Sequence, residues 1–323
     1  MVSLSSIRAS NACVSSVLPP GLVALFVGAT SGIGAATLKA FAKYACRPRA
    51  YFVGRSQEAA DRILAECRAL NPEGEYIFIS ADVSLIRVVD EVCAQIRARE
   101  SQLNVLFLSA GVPSLDRSET SEKLHLLAAL NYYSRLRFMT RLLPLLQQTP
   151  YLRRVVTVGG GGLEGPLDPS DFSALHVPKE QLRGHLCTVV TLGVEAVART
   201  APEVVFIHDY PGSVDTPLTR HLQGTGMVGD VEWISPEESG ERHLYLVTSA
   251  RYPSVQGSES AVPSEMLARG ATGDLGSGWY SVGWDGESAS PEILAFLADL
   301  REQGMGEQVW KHTEEVFRRI VTD

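Results

Sequence analysis

The sequence predicts an α/β chain built on a doubly wound parallel sheet, and three observations carry that prediction. Short runs that are apolar throughout recur from Leu22 to His208, as expected of strands covered on both faces. Stretches with helical periodicity separate them. A glycine turn, Val27-Gly28-Ala29-Thr30-Ser31-Gly32-Ile33-Gly34, joins the first apolar run to the first helical one. Strand, glycine turn and helix in that order make a phosphate cradle. Glycines let the backbone approach a pyrophosphate, and the helix N-terminus carries partial positive charge.

Taken in order, the strand-like runs are Leu22–Val27, Ala50–Val53, Tyr76–Ser80, Val105–Ser109, Val155–Val158 and Val204–His208. Helical patterns lie between them at Ala35–Tyr44, Glu58–Leu70, Leu85–Arg99, Glu122–Leu146 and Leu182–Arg199. Repeated strand–helix units with a glycine fingerprint at the first junction predict a Rossmann sheet. Met1–Leu18, rich in Ser and Ala, reads as a loose arm, with Pro19-Pro20-Gly21 as the turn into the first strand. Beyond Thr216 the pattern changes. Residues 217–235 are glycine-rich, a helix is predicted over about 236–248, and a Gly/Ser/Pro-rich stretch covers 254–277. Strand-like Trp279–Val282 and two helical stretches close the chain. Long irregular segments in a compact domain are usually functional, so 217–278 is expected to form a substrate lid. The expected plan is a flexible arm over 1–20, a core over 21–216, and lid, strand and helices over 217–323 completing the same domain.

Composition narrows the partners. The chain has 323 residues, is 45% hydrophobic and 20% charged, and carries a net charge of −8. An acidic chain without a basic stripe argues against a nucleic-acid partner. Cys13, Cys46, Cys67, Cys93 and Cys187 are scattered, with no CxxC or Cys/His spacing, so reduced thiols in a cytoplasmic protein and no metal site are expected. No signal-like apolar core and no membrane-length apolar run is read.

The second strand ends at Val53 and is followed by Gly54-Arg55. About twenty residues past the glycine turn, NAD-binding folds place an acid on the ribose hydroxyl. Here Gly54 offers no carboxylate to repel a 2′-phosphate, and the Arg55 guanidinium is able to hold one. NADP(H) is the expected cofactor.

These parts together resemble the short-chain dehydrogenase/reductase family over roughly 21–216. Gly28, Gly32 and Gly34 match its TGxxxGxG turn, with Thr30, Ser31 and Ile33 between them. Asp82-Val83 match the pair beside the adenine, and Ser109-Ala110-Gly111 match its NAG. Asn131 matches the helix asparagine that supports a water in the family's proton relay. Pro211-Gly212-Ser213-Val214-Asp215-Thr216 match PGxVxT, in which the threonine reaches the nicotinamide carboxamide. The resemblance further implies a homodimer through helices around 122–146 and 182–199. The Leu-rich Arg141–Leu146 segment and Tyr210-Pro211-Gly212 resemble members of the family from biosynthetic gene clusters of filamentous fungi, which implies a polyketide or terpenoid substrate.

The family's Ser, Tyr and Lys do not follow. The serine slot after the fifth strand falls on Gly160, within Gly159–Gly162, a run with no hydroxyl. That run reads as a permissive loop, as a ring of N–H donors for an oxyanion, or as room for a bulky substrate. The YxxxK pair falls on Gln181 and His185 or, allowing for a shortened loop at Thr200–Glu203, on Arg183 and Cys187. The second register is preferred. Candidate replacements are His185 as acid–base group, with His176 behind it, and Arg183 as a binder of substrate anion or cofactor ribose. Cys187 reads as a small buried residue, and Tyr210 stands near the expected nicotinamide. A positioned general acid is worth roughly 10²–10⁴ in rate. The sequence is therefore expected to encode an atypical NADPH-dependent oxidoreductase for a hydrophobic small molecule. Alternatives are a cyclase, isomerase or dehydratase on the same site, and a silent accessory subunit.

Overall fold

The computed structural model describes residues 1–112, 116–222, 232–256 and 263–322. Its elements in chain order are α1 (Leu4–Ala12), α2 (Val14–Val17), β1 (Val23–Val27), α3 (Gly32–Tyr44), β2 (Arg49–Gly54), α4 (Gln57–Leu70), β3 (Glu75–Ser80) and α5 (Ile86–Arg99). There follow β4 (Val105–Leu108), α6 (Leu126–Ala128), a π-helical turn (Ala129–Tyr133), α7 (Ser134–Gln148), β5 (Arg154–Val158), α8 (Lys179–Ala198) and β6 (Val205–Asp209). Then come α9 (Pro217–Leu222), α10 (Pro236–Thr248), β7 (Trp279–Val282), α11 (Pro291–Glu302) and α12 (Met305–Thr322).

The sheet is seven-stranded, wholly parallel, and ordered β3-β2-β1-β4-β5-β6-β7. The order reverses between β1 and β4, and a crevice opens there beyond the carboxyl ends of the strands. Alternation divides the strands between two cores. Leu25, Val27, Leu106 and Val155 face α5, α7, α8 and α12. Ala24, Phe26, Phe107 and Val156 face α3, α4 and α10. Burial on both faces is why the central strands β1 and β4 read as unbroken apolar runs.

The expected loose arm is corrected. Ser3 caps α1, its Oγ accepting the Ser6 N–H at 3.1 Å. Ile7, Asn11 and Val14 are buried on one helical face. Asn11 donates from Nδ2 to the Glu241 carbonyl at 2.9 Å and to Glu241 Oε2 at 2.7 Å, fastening α1 to α10. That face contains only two apolar residues and one amide, too little for a compositional reading to detect.

The stretch expected as a lid divides. Pro217, Leu218 and Thr219 border the crevice. By contrast α10 lies on α3 as part of the core; a Cβ at Gly240 would stand 2.7 Å from the Ala36 carbonyl. Residues 223–231 and 257–262 of that expectation lie outside the described residues. Part of the segments expected to meet a second copy, 122–146 and 182–199, packs against α12. The Tyr132 hydroxyl bonds Thr313 Oγ1, and the Tyr133 hydroxyl lies 2.7 Å from His312 Nε2. Among the described residues no helix is long and apolar enough to cross a membrane.

Candidate active site

The crevice holds a cavity of about 510 Å³. Residues matched to the cofactor motifs border it: Gly28, Thr30, Ser31, Gly32, Ile33, Gly34, Arg55, Asp82, Val83, Ala110, Gly111, Pro211, Gly212, Val214 and Thr216, together with Asn131. Six separate segments of chain are brought to one groove.

Local packing explains the glycines. Gly28 has φ +83°, and a Cβ there would sit 2.5 Å from the Ala110 nitrogen, so β1 and β4 meet only because the side chain is absent. A Cβ at Gly34 would meet the Gly28 carbonyl at 2.5 Å. Ser31 precedes α3 in extended conformation and makes no side-chain cap, leaving first-turn N–H groups to a ligand anion. A Cβ at Gly54 would stand 2.4 Å from Thr30 Cγ2, so the position conventionally acidic in NAD-binding folds has no room for a side chain. Arg55 beside it is exposed. At the other end, the Thr216 hydroxyl caps α9, accepting the Thr219 N–H at 3.2 Å, and the Thr216 side chain lies against Gly32.

Asn131 occupies the π-helical turn, a distortion often found at functional sites. Its Nδ2 donates to the Leu127 carbonyl at 3.0 Å, and its Oδ1 accepts from Arg135 at 3.1 Å. Arg135, which sequence reasoning missed, is 3% exposed and borders the same cavity. Its spacing four residues past Asn131 on a helix is the signal that could have found it.

The remaining candidates do not reach the cavity. His185 is fully buried, its Nδ1 accepting the Asp168 N–H at 3.2 Å, and burial pushes its pKa down. It braces the 163–178 loop and is absent from the cavity wall, which corrects its reading as a proton donor at this groove. Arg183 is exposed, with its guanidinium 5.1 Å from the Tyr210 ring centre, just past the cavity's Pro211 edge. His176 is exposed. Cys187 is buried, which pushes its thiol up to about 12 and makes it a poor nucleophile.

The glycine run has a definite role. A Cβ at Gly160 would stand 2.1 Å from Cys187 Sγ, so this slot is filled from α8 rather than left open for substrate. Its N–H groups are also taken. Gly159 donates to the Asp209 carbonyl at 2.7 Å, Gly160 to His208 Nε2 at 3.0 Å, and Gly162 to Ser281 Oγ at 2.7 Å. His208 Nδ1 lies 2.9 Å from Thr191 Oγ1, and both Thr191 and Ser281 donate to Glu164 Oε1 at 2.7 Å. The permissive-loop reading stands, and the oxyanion ring is excluded at these three donors. Burial holds His208 neutral, down to about 3, and pushes Glu164 up. The clue was polarity inside apolar runs: His208 after Val204–Ile207, and Thr191 between Val190 and Leu192.

Residues 22–161 match the short chain dehydrogenase family. An oxidoreductase of Emericella nidulans is 42% identical over 99% of both chains. The oxidoreductase andH of Emericella variicolor is 35% identical over 99% of this chain and 98% of its own. A short-chain dehydrogenase/reductase of Stachybotrys chartarum is 31% identical over 97% and 96%. Among solved structures, an alcohol dehydrogenase of Thermococcus sibiricus complexed with 5-hydroxy-NADP superposes with TM-score 0.55 at 21% identity, covering 70% of this chain and 89% of its own. The chain belongs to the short-chain dehydrogenase family.

Proposed function

We propose that this chain is an NADP(H)-dependent oxidoreductase of fungal secondary metabolism that reduces a hydrophobic small molecule, such as a polyketide or terpenoid, without the family's Ser-Tyr-Lys set. The observation that carries this reading is the convergence of the cofactor-matching residues on one cavity, with Arg55 beside a Gly54 that Thr30 keeps bare. The names of the relatives above, oxidoreductases of Emericella species, and the NADP derivative on the Thermococcus enzyme support it.

In this reading the glycine turn and the start of α3 hold the pyrophosphate, and Arg55 holds the 2′-phosphate. Asp82 and Val83 flank the adenine. Ala110 and Gly111 let the ribose approach β4, and Pro211 to Thr216 fold over the nicotinamide carboxamide. Bound NADPH supplies a hydride. Asn131 fixes the inner wall through Leu127 and Arg135, and Arg183 on Tyr210 receives a polar group of the substrate at the rim. No carboxylate, histidine or tyrosine borders the inner end of the cavity among the described residues. Protonation then falls to water or to the substrate itself, and an activated enone or quinone-like acceptor suits the site better than a simple ketone.

That same bareness favours a second reading, catalysis without net redox change. Purified protein given NADPH and an enone-bearing polyketide separates the two. One NADPH oxidised per product formed supports reduction, and product without oxidation supports the second reading. Failure of folded protein to take up NADPH in a calorimetric titration rejects both.

A further inference from the structure

Arg135 carries a buried charge at the inner end of the cavity with no carboxylate hydrogen-bonded to it. It is buried, and its five N–H donors all go to uncharged acceptors. Nε donates to the Leu130 carbonyl at 3.1 Å and NH1 to Thr157 Oγ1 at 2.9 Å. NH1 also donates to the Val158 carbonyl, and NH2 to the Ala110 carbonyl at 2.9 Å and to Asn131 Oδ1 at 3.1 Å. No Asp or Glu pairs with it among the described residues. The nearby carboxylate is Asp209, whose charge favours the Arg135 cation without a direct hydrogen bond and whose Oδ2 lies 3.0 Å from His243 Nε2. Burial lowers the Arg135 pKa only to about 10, so the group stays charged at neutral pH.

Its place in the groove gives that charge a target. Arg55 marks the β2 end, whereas Arg135 bridges the ends of β4 and β5. From β2 to β5 is three strand spacings, about 14 Å. With the 2′-phosphate at Arg55 and the pyrophosphate at the β1 turn, a dinucleotide running along the crevice brings its nicotinamide to the β4–β5 end. The ring is cationic in NADP⁺ and neutral in NADPH.

We infer that Arg135 selects the oxidation state of the cofactor: its fixed charge at the inner end of the cavity opposes the NADP⁺ ring and leaves NADPH as the favoured ligand. The inference rests on the cofactor reading above and deepens it. At an effective dielectric of about 20, two like charges about 10 Å apart repel by about 1.7 kcal/mol, more than tenfold in affinity, from which the attraction of Asp209 subtracts. Such a bias keeps the protein loaded for reduction and hastens departure of NADP⁺ after turnover.

The test compares dissociation constants of NADPH, NADP⁺ and 2′,5′-ADP, which has no nicotinamide, by calorimetry for the wild type, Arg135→Lys and Arg135→Gln. Wild type is expected to prefer NADPH by about tenfold or more, Arg135→Lys to keep the preference, and Arg135→Gln to bring the ratio within about threefold of unity. The affinity for 2′,5′-ADP stays constant across the three. A purely structural role weakens all three ligands together and leaves the ratio alone, which overturns the inference. A wild-type ratio near one overturns it even where Arg135→Gln does not fold. Wild type that fails to bind 2′,5′-ADP signals instead that the cofactor reading has failed, and the inference falls with it.

Discussion

Replacing Gly160 with serine is expected to destabilise the protein without placing a hydroxyl in the cavity. The added Cβ would lie 2.1 Å from Cys187 Sγ, about 1.5 Å inside the ordinary contact distance of about 3.5–4.0 Å. Gly160 is buried and pinned by its N–H to His208, so the loop cannot retreat without losing that bond. The sulfur has one rotatable bond and sits in a helix, where rotamer choice is narrow. Overpacking of this size costs about 1–3 kcal/mol. Urea unfolding of wild type, Gly160→Ser, Cys187→Ala and the double variant measures it. Removing the sulfur makes room, so the double variant is expected to recover part of the loss, with a coupling of at least about 1 kcal/mol. Single-variant stability within about 0.3 kcal/mol of wild type, or no coupling between the positions, would refute the reasoning.

Three further outcomes follow from the same geometry. Arg55→Ala removes a charge-assisted phosphate contact and is expected to weaken NADPH by about 10–100-fold in calorimetry while NADH changes less than about twofold; equal losses would undo the 2′-phosphate assignment. Burial holds His208 down to about 3 in the folded chain, against about 6.5 when unfolded. The unfolded state therefore binds the extra proton between those values. Stability is full above about pH 6.5 and falls on acidification at up to about 1.4 kcal/mol per pH unit from this group. His208→Gln should flatten that slope in urea melts from pH 7 to 4.5, and an unaltered slope would remove His208 as its source. Asn11→Ala strips Glu241 of a buried donor and is expected to cost about 1–3 kcal/mol; a neutral result would mean α1 is dispensable.

The sequence revealed what is local. Strands such as Leu22–Val27 and Val155–Val158 were legible within a residue because both faces are buried. The cofactor groove was legible because turn chemistry at Gly28, Gly212 and Thr216 is written in adjacent residues. What it hid is tertiary. Glu164 meets Ser281 from 117 positions away, and His208 meets Gly160 from 48, so no window of sequence displays the ring that holds the glycine loop. His185 was misjudged for the same reason: periodicity marks a helical face, and only packing says which loop that face meets. The helix predicted from Glu122 starts at Leu126, after a turn in which Thr120 Oγ1 accepts the Glu122 and Leu124 N–H groups.

The docking of α1 on α10 bears on how the chain comes off the ribosome. Asn11 and the residue that receives it are separated by 230 positions, so α1 cannot take its seat before α10 exists. Until Pro236–Thr248 is synthesised, Asn11 has no Glu241 to bond, and closure across so long a loop is slow. In the finished enzyme the two distant stretches are latched together.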